Sequence, residues 1–122
     1  MFQIKGKVVY YQDYVIAKID QQIIAYYMSL IPRYINLCRQ RFPAHVTISR
    51  KSKENPSYEN WGYRNGDVIN IECDSVLSCD SEYYFLNCYS NEIIEIRNNL
   101  GLPDYRVGFD RFHITIGNLK GQ

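Results

Sequence analysis

The sequence predicts an α+β domain whose antiparallel strands form a sheet covered by helices. Three observations predict it. Short runs alternating apolar and polar residues recur along the chain, and two stretches carry apolar residues at helical spacing. Each half of the chain holds one of those helical stretches and ends near or on a strand containing His-x-Thr. At 122 residues the chain fits a single domain spanning 1–122, large enough for one core and too small for two.

Residues 2–11 read as a first strand, with Phe2, Ile4, Val8 and Tyr10 on one face and Gln3, Lys5 and Lys7 on the other. Asp13 offers an N-cap oxygen to a helix expected over residues 14–31, where Ile16, Ile19, Ile23, Tyr27 and Leu30 recur as one stripe. Pro32 cannot continue it. A short strand is expected around 34–37. Pro43 favours extended backbone before the strand 45–50.

Residues 51–66 have loop composition, with Pro56, Gly62, Gly66 and the only tryptophan, Trp61. Loops of this length in compact domains are usually functional or disordered, and a lone tryptophan in one fits a functional role or an anchor tacking the loop to the core equally well. Residues 67–73 alternate as a strand, 78–81 form a turn, and 82–89 form a further strand. Ser90 or Asn91 caps a second helix over 91–100, with Ile93, Ile96 and Leu100 inward. Gly101 and Pro103 end it. A loop over 103–111 carries Arg106 and Arg111, and the strand 112–116 follows.

Composition narrows the function. A formal net charge of +1 supplies no polybasic field for duplex binding, so a small nucleotide or a chain end is the better partner. No apolar run reaches bilayer length, and the lysine-bearing N-terminus is not a signal peptide. A cytoplasmic protein is expected. Cys38, Cys73, Cys79 and Cys88 lack C-x-x-C spacing and are read as free thiols.

The only two histidines, His45 and His113, are each followed two positions later by threonine, Thr47 and Thr115. Residues i and i+2 of a strand share a face, so each His and Thr project together while Val46, Ile48, Ile114 and Ile116 turn to the core. Two imidazoles titrating near neutrality can act as a base–acid pair, each worth roughly 10²–10⁴-fold in rate. Two threonine hydroxyls can donate to non-bridging phosphate oxygens. Phosphodiester cleavage fits this set. Either histidine can serve as base with the other as acid. Two structural histidines, or a two-His metal site lacking a third ligand at telling spacing, are the competing readings.

The two motifs resemble the signature of the 2H phosphoesterase superfamily, two H-x-[ST] motifs on adjacent central strands. Within it, PAHVTISRK (43–51) and FHITIGNLKG (112–121) look most like the small phage anti-CBASS nucleases, which cleave cyclic oligonucleotides such as 3′,3′-cGAMP. The resemblance implies two lobes of antiparallel sheet with outer helices around a central cleft. It also implies metal-independent hydrolysis without a cofactor. On the matching positions, His45 and His113 take the acid–base roles and Thr47 and Thr115 the phosphate contacts. Larger members continue into a segment that closes over the ligand, whereas six residues follow Ile116 here. Base stacking is therefore expected from Tyr10, Tyr11 and Trp61, and phosphate charge is expected to meet Arg50, Lys51 and Lys120.

Two other functions use the same residues. Some 2H relatives open RNA-end 2′,3′-cyclic phosphates or cleave 2′–5′ bonds. A catalytically silent sponge would hold a cyclic nucleotide without turnover, though it has no need of two titrating groups.

Overall fold

A computed structural model of the chain describes residues 1–120; Gly121, the last residue of the second motif stretch, lies outside the described residues. The elements run β1 (Phe2–Tyr10), β2 (Tyr14–Lys18), α1 (Gln22–Ser29), a 3₁₀ turn (Arg33–Ile35), β3 (Cys38–Arg39) and β4 (His45–Arg50). They continue as β5 (Val68–Cys73), β6 (Ser78–Cys79), β7 (Tyr83–Tyr89), α2 (Asn91–Asn99) and β8 (Phe112–Asn118). The α+β class is as expected.

Hydrogen bonding orders the strands β3-β8-β4-β2-β1-β5-β7-β6, and β7 also pairs with β8. That last pairing closes the sheet into a barrel. Every ladder is antiparallel. The two sheet lobes inferred from the resemblance are not separate here, because β8 is bonded along one edge to β7 and along the other to β4 and β3.

The long helix expected over 14–31 is corrected. Residues 14–18 form β2, which pairs with both β1 and β4, and only Gln22–Ser29 is helical. Val15, Ile16 and Ala17 are all buried, so β2 is covered on both faces and carries no alternation to betray it. The expected cap, Asp13, instead gives its backbone carbonyl to the Lys51 N–H at 2.9 Å. Asp20 caps the start of the helical region, its Oδ1 accepting from the Gln22 N–H at 2.9 Å. The strand expected at 34–37 is a 3₁₀ turn followed by the two-residue β3.

The second helix forms as its caps dictate. The Ser90 hydroxyl accepts from the Ile93 N–H at 3.2 Å and donates to the Asn70 carbonyl at 2.7 Å, tying α2 to β5. At the other end Gly101 takes φ of +76°, while the Gly101 and Leu102 N–H groups bond back to Asn98 and Arg97.

One hydrophobic cluster fills the molecule. Val46 and Ile48 of β4 and Ile114 and Ile116 of β8 meet Ile24 of α1 and Ile93 and Ile96 of α2 within it. Each such fully buried side chain contributes about 1.5–3 kcal/mol by removal from water. Among the described residues the four cysteines are free thiols, and no helix is long and apolar enough to cross a membrane.

Candidate active site

Strands β4 and β8 run antiparallel with Val46 opposite Ile114. Stepping one residue each way along this ladder sets His45 beside Thr115 and Thr47 beside His113, all four on one face. Burial confirms the alternation: Val46, Ile48, Ile114 and Ile116 are at most 1 % exposed, while the His and Thr positions between them are half-buried. The four motif residues line a single cleft of about 600 Å³.

The His45 Nδ1 lies 2.7 Å from the Pro43 carbonyl oxygen. A carbonyl only accepts, so the neutral ring carries its proton on Nδ1 and keeps its lone pair on Nε2. Burial holds His45 below the ordinary histidine pKa; the Pro43 bond opposes this and the Arg50 charge adds to it. His113 sits edge-on between the rings of Phe85 and Phe109, at centroid distances of 5.0 and 5.6 Å. Burial again lowers its pKa, Arg111 and Arg106 lower it further, and Asp110 and Asp80 pull the other way. Burial therefore favours the neutral form of both imidazoles. A base–acid pair thus needs an anion beside one ring to favour its charged form.

Among the described residues neither threonine hydroxyl has a hydrogen-bond partner within the chain, so both stand ready to donate. Arg50 and Arg106 line the same cleft without an ion-pair partner among those residues. Arg111, also in the lining, is committed to Asp110 at 2.8 Å.

Beneath them Arg97, 2 % exposed, donates to the Ile48 carbonyl at 2.7 Å and the Pro103 carbonyl at 2.9 Å. It also holds Glu54 with two bonds of 2.8 and 2.5 Å. Ser49 adds a third bond to that carboxylate at 3.1 Å. These bonds run from α2 to the Ile48 carbonyl of β4 and to Glu54, so the pair braces β4 against α2.

Of the six expected substrate contacts, the cleft brings in only Arg50. Tyr10, Tyr11 and Trp61 form an aromatic cluster outside the lining. Trp61 packs edge-on against Tyr10 at 5.0 Å and donates to the Tyr11 carbonyl at 3.2 Å, and Tyr11 stacks on Tyr14 at 4.7 Å. Lys51 lies over the Trp61 ring at 4.3 Å. These contacts pin the long loop to the body, which accounts for the tryptophan. Lys120 is held by the Tyr83 hydroxyl at 2.8 Å and by Glu82 at 3.4 Å.

The aromatic surfaces of the cleft are instead Phe42, Tyr83, Phe85 and Phe109. A signal for two regions of this wall was present in the sequence, since Arg-Phe precedes each motif closely, at Arg41-Phe42 and Arg111-Phe112. Phe42 and Phe109 are 64 % and 43 % exposed and so present ring surface to the cleft.

No family model matches the chain, and no curated protein or solved structure matches it. Among the described residues no three His, Cys, Asp or Glu side chains gather as a metal ligand set.

Proposed function

We propose that the protein is a 2H-type phosphodiesterase that hydrolyses 3′–5′ bonds of cyclic oligonucleotides such as 3′,3′-cGAMP, serving as a phage anti-CBASS enzyme in the host cytoplasm. The observation that carries the acid–base reading is the four-residue face of β4 and β8, with both histidines and both unpartnered threonines in one cleft. The substrate class rests on the likeness of the two motifs to that nuclease group and on the near-neutral net charge.

The asymmetry of the two rings divides the roles. His45, its Nδ1–H held by Pro43, presents the Nε2 lone pair and takes a proton from the attacking water or 2′-hydroxyl. The new P–O bond forms as the bond to the leaving ester oxygen breaks on the opposite side, and where the 2′-hydroxyl attacks, that oxygen is the 5′ one. His113, protonated once the phosphate anion is bound, gives its proton to that oxygen. Thr47 and Thr115 donate to the non-bridging oxygens, and Arg50 and Arg106 offset the phosphate charge. A metal is not required for any of these steps.

Opening of an RNA-end 2′,3′-cyclic phosphate, or cleavage of a 2′–5′ bond, uses the same four groups. Rates on 3′,3′-cGAMP, on an RNA oligomer ending in a cyclic phosphate and on a 2′–5′-linked oligomer separate these readings. The cyclic dinucleotide is expected to turn over fastest, and a preference for either RNA substrate overturns the assignment. Tight binding of 3′,3′-cGAMP with no product after hours makes the protein a sponge.

A further inference from the structure

A second pocket of about 320 Å³ lies against the catalytic cleft and shares Gln40, Phe42, His45 and Thr115 with it. Its floor is apolar, from Ile24, Ala25 and Met28 of α1 together with Pro43 and Ala44. Its rim carries Arg39 and Arg41, and its lining contains no carboxylate. Among the described residues neither arginine has an ion-pair or hydrogen-bond partner for its side chain. The Gln21 side-chain oxygen accepts from the Ala44 N–H at 2.7 Å, fixing the segment before β4 against α1 so that the pocket is preformed.

This volume stands at the lower end of small-molecule sites, which run from about 300 to 1,000 Å³. A flat apolar floor that includes a thioether suits a planar ring. Two unpaired guanidinium groups with no acid beside them suit a phosphate. The shared wall matters most. His45 and Thr115 border both pockets, whereas Thr47 and His113 border only the larger. A ligand held at His45 and Thr115 therefore has both pockets within reach.

We propose that the second pocket is a nucleotide subsite, receiving one nucleoside of the substrate on Met28 and Phe42 and a second phosphate on Arg39 and Arg41. This deepens the phosphodiesterase reading and rests on it. It makes the preferred substrate one with at least two phosphates and two bases, rather than a lone nucleoside cyclic phosphate.

The test fills the pocket from α1 with Ala25→Trp and removes its charge with Arg39→Gln/Arg41→Gln, using Tyr26→Ala, one residue along the helix, as a control. Circular dichroism checks that each variant is folded. Steady-state kinetics on 3′,3′-cGAMP are measured alongside calorimetric binding of its non-hydrolysable phosphorothioate analogue. Both pocket variants are expected to raise KM and Kd at least tenfold, with Tyr26→Ala within twofold of wild type. If wild type turns over 3′,3′-cGAMP and both pocket variants match it, the subsite is overturned and the histidine site stands. If wild type binds the analogue without turnover, the phosphodiesterase reading falls, while the Kd series still decides the subsite. Absence of any binding overturns both.

Discussion

Val46 and Ile114 are cross-strand partners at the centre of the two motifs. Because the pair is antiparallel, this one contact converts two distant copies of His-x-Thr into a square, with each histidine beside the other motif's threonine. Both partners are fully buried, so slipping β8 by one residue would turn Ile114 and Ile116 to water and His113 to the core. The hydrophobic pattern thereby fixes the geometry of the four His and Thr side chains.

Activity should fall on the alkaline side of a pKa below the ordinary histidine value. Burial, Arg111 and Arg106 all disfavour the charged form of His113, so the acid is lost early as pH rises. Replacing Arg106 with Gln removes one repelling charge and raises the His113 pKa. The alkaline limb of kcat/KM should then move to higher pH, in step with the His113 pKa titrated by NMR. A raised NMR pKa with an unmoved limb contradicts the acid role.

Glu54→Ala should destabilise the fold by about 3–5 kcal/mol, because it strands the Arg97 charge in a site that is 2 % exposed. Urea denaturation measures it. Pairing Glu54→Leu with Arg97→Met should recover most of the loss, since two apolar side chains of similar bulk leave no unpaired charge. A loss below about 1 kcal/mol for the single variant contradicts a buried, fully bonded pair.

Gly117 lies where β8 passes closest to the chain before and within β3. A Cβ there meets the Leu37 side chain at 2.7 Å and the Cys38 carbonyl at 2.8 Å. Gly117→Ala is expected to cost about 1–3 kcal/mol and lower Tm, with partial rescue by Leu37→Ala. An unchanged Tm shows that β3 does not press on β8 as described.

What the sequence revealed follows from how local each signal is. The strand 45–50, the helix after Ser90 and the start of the last strand are written in short-range periodicity and caps, and the structure places them where they were expected. Residues 14–18 read as helix because Ile16, Ile19 and Ile23 satisfy a helical stripe, while the pairing of β2 with β1 and β4 is non-local. Closure of the sheet through β7 and β8 is likewise invisible to periodicity. In the site, the motif residues were legible and the walls were not. Loop composition leaves Trp61 equally a ligand contact or an anchor, and its ring packs as an anchor on Tyr10 and under Lys51, whereas Phe42 and Phe109 stand exposed at the cleft. The bond between Arg97 and Glu54 joins residues 43 apart and leaves no local trace.

The most direct measurement is hydrolysis of 3′,3′-cGAMP in excess EDTA by wild type, His45→Ala and His113→Ala, followed by HPLC. The account predicts linear product from wild type with chelator present, and a loss of roughly 10²–10⁴-fold in each folded variant. Intact substrate with wild type, activity that vanishes with chelator, or a histidine variant that keeps most of its rate contradicts it.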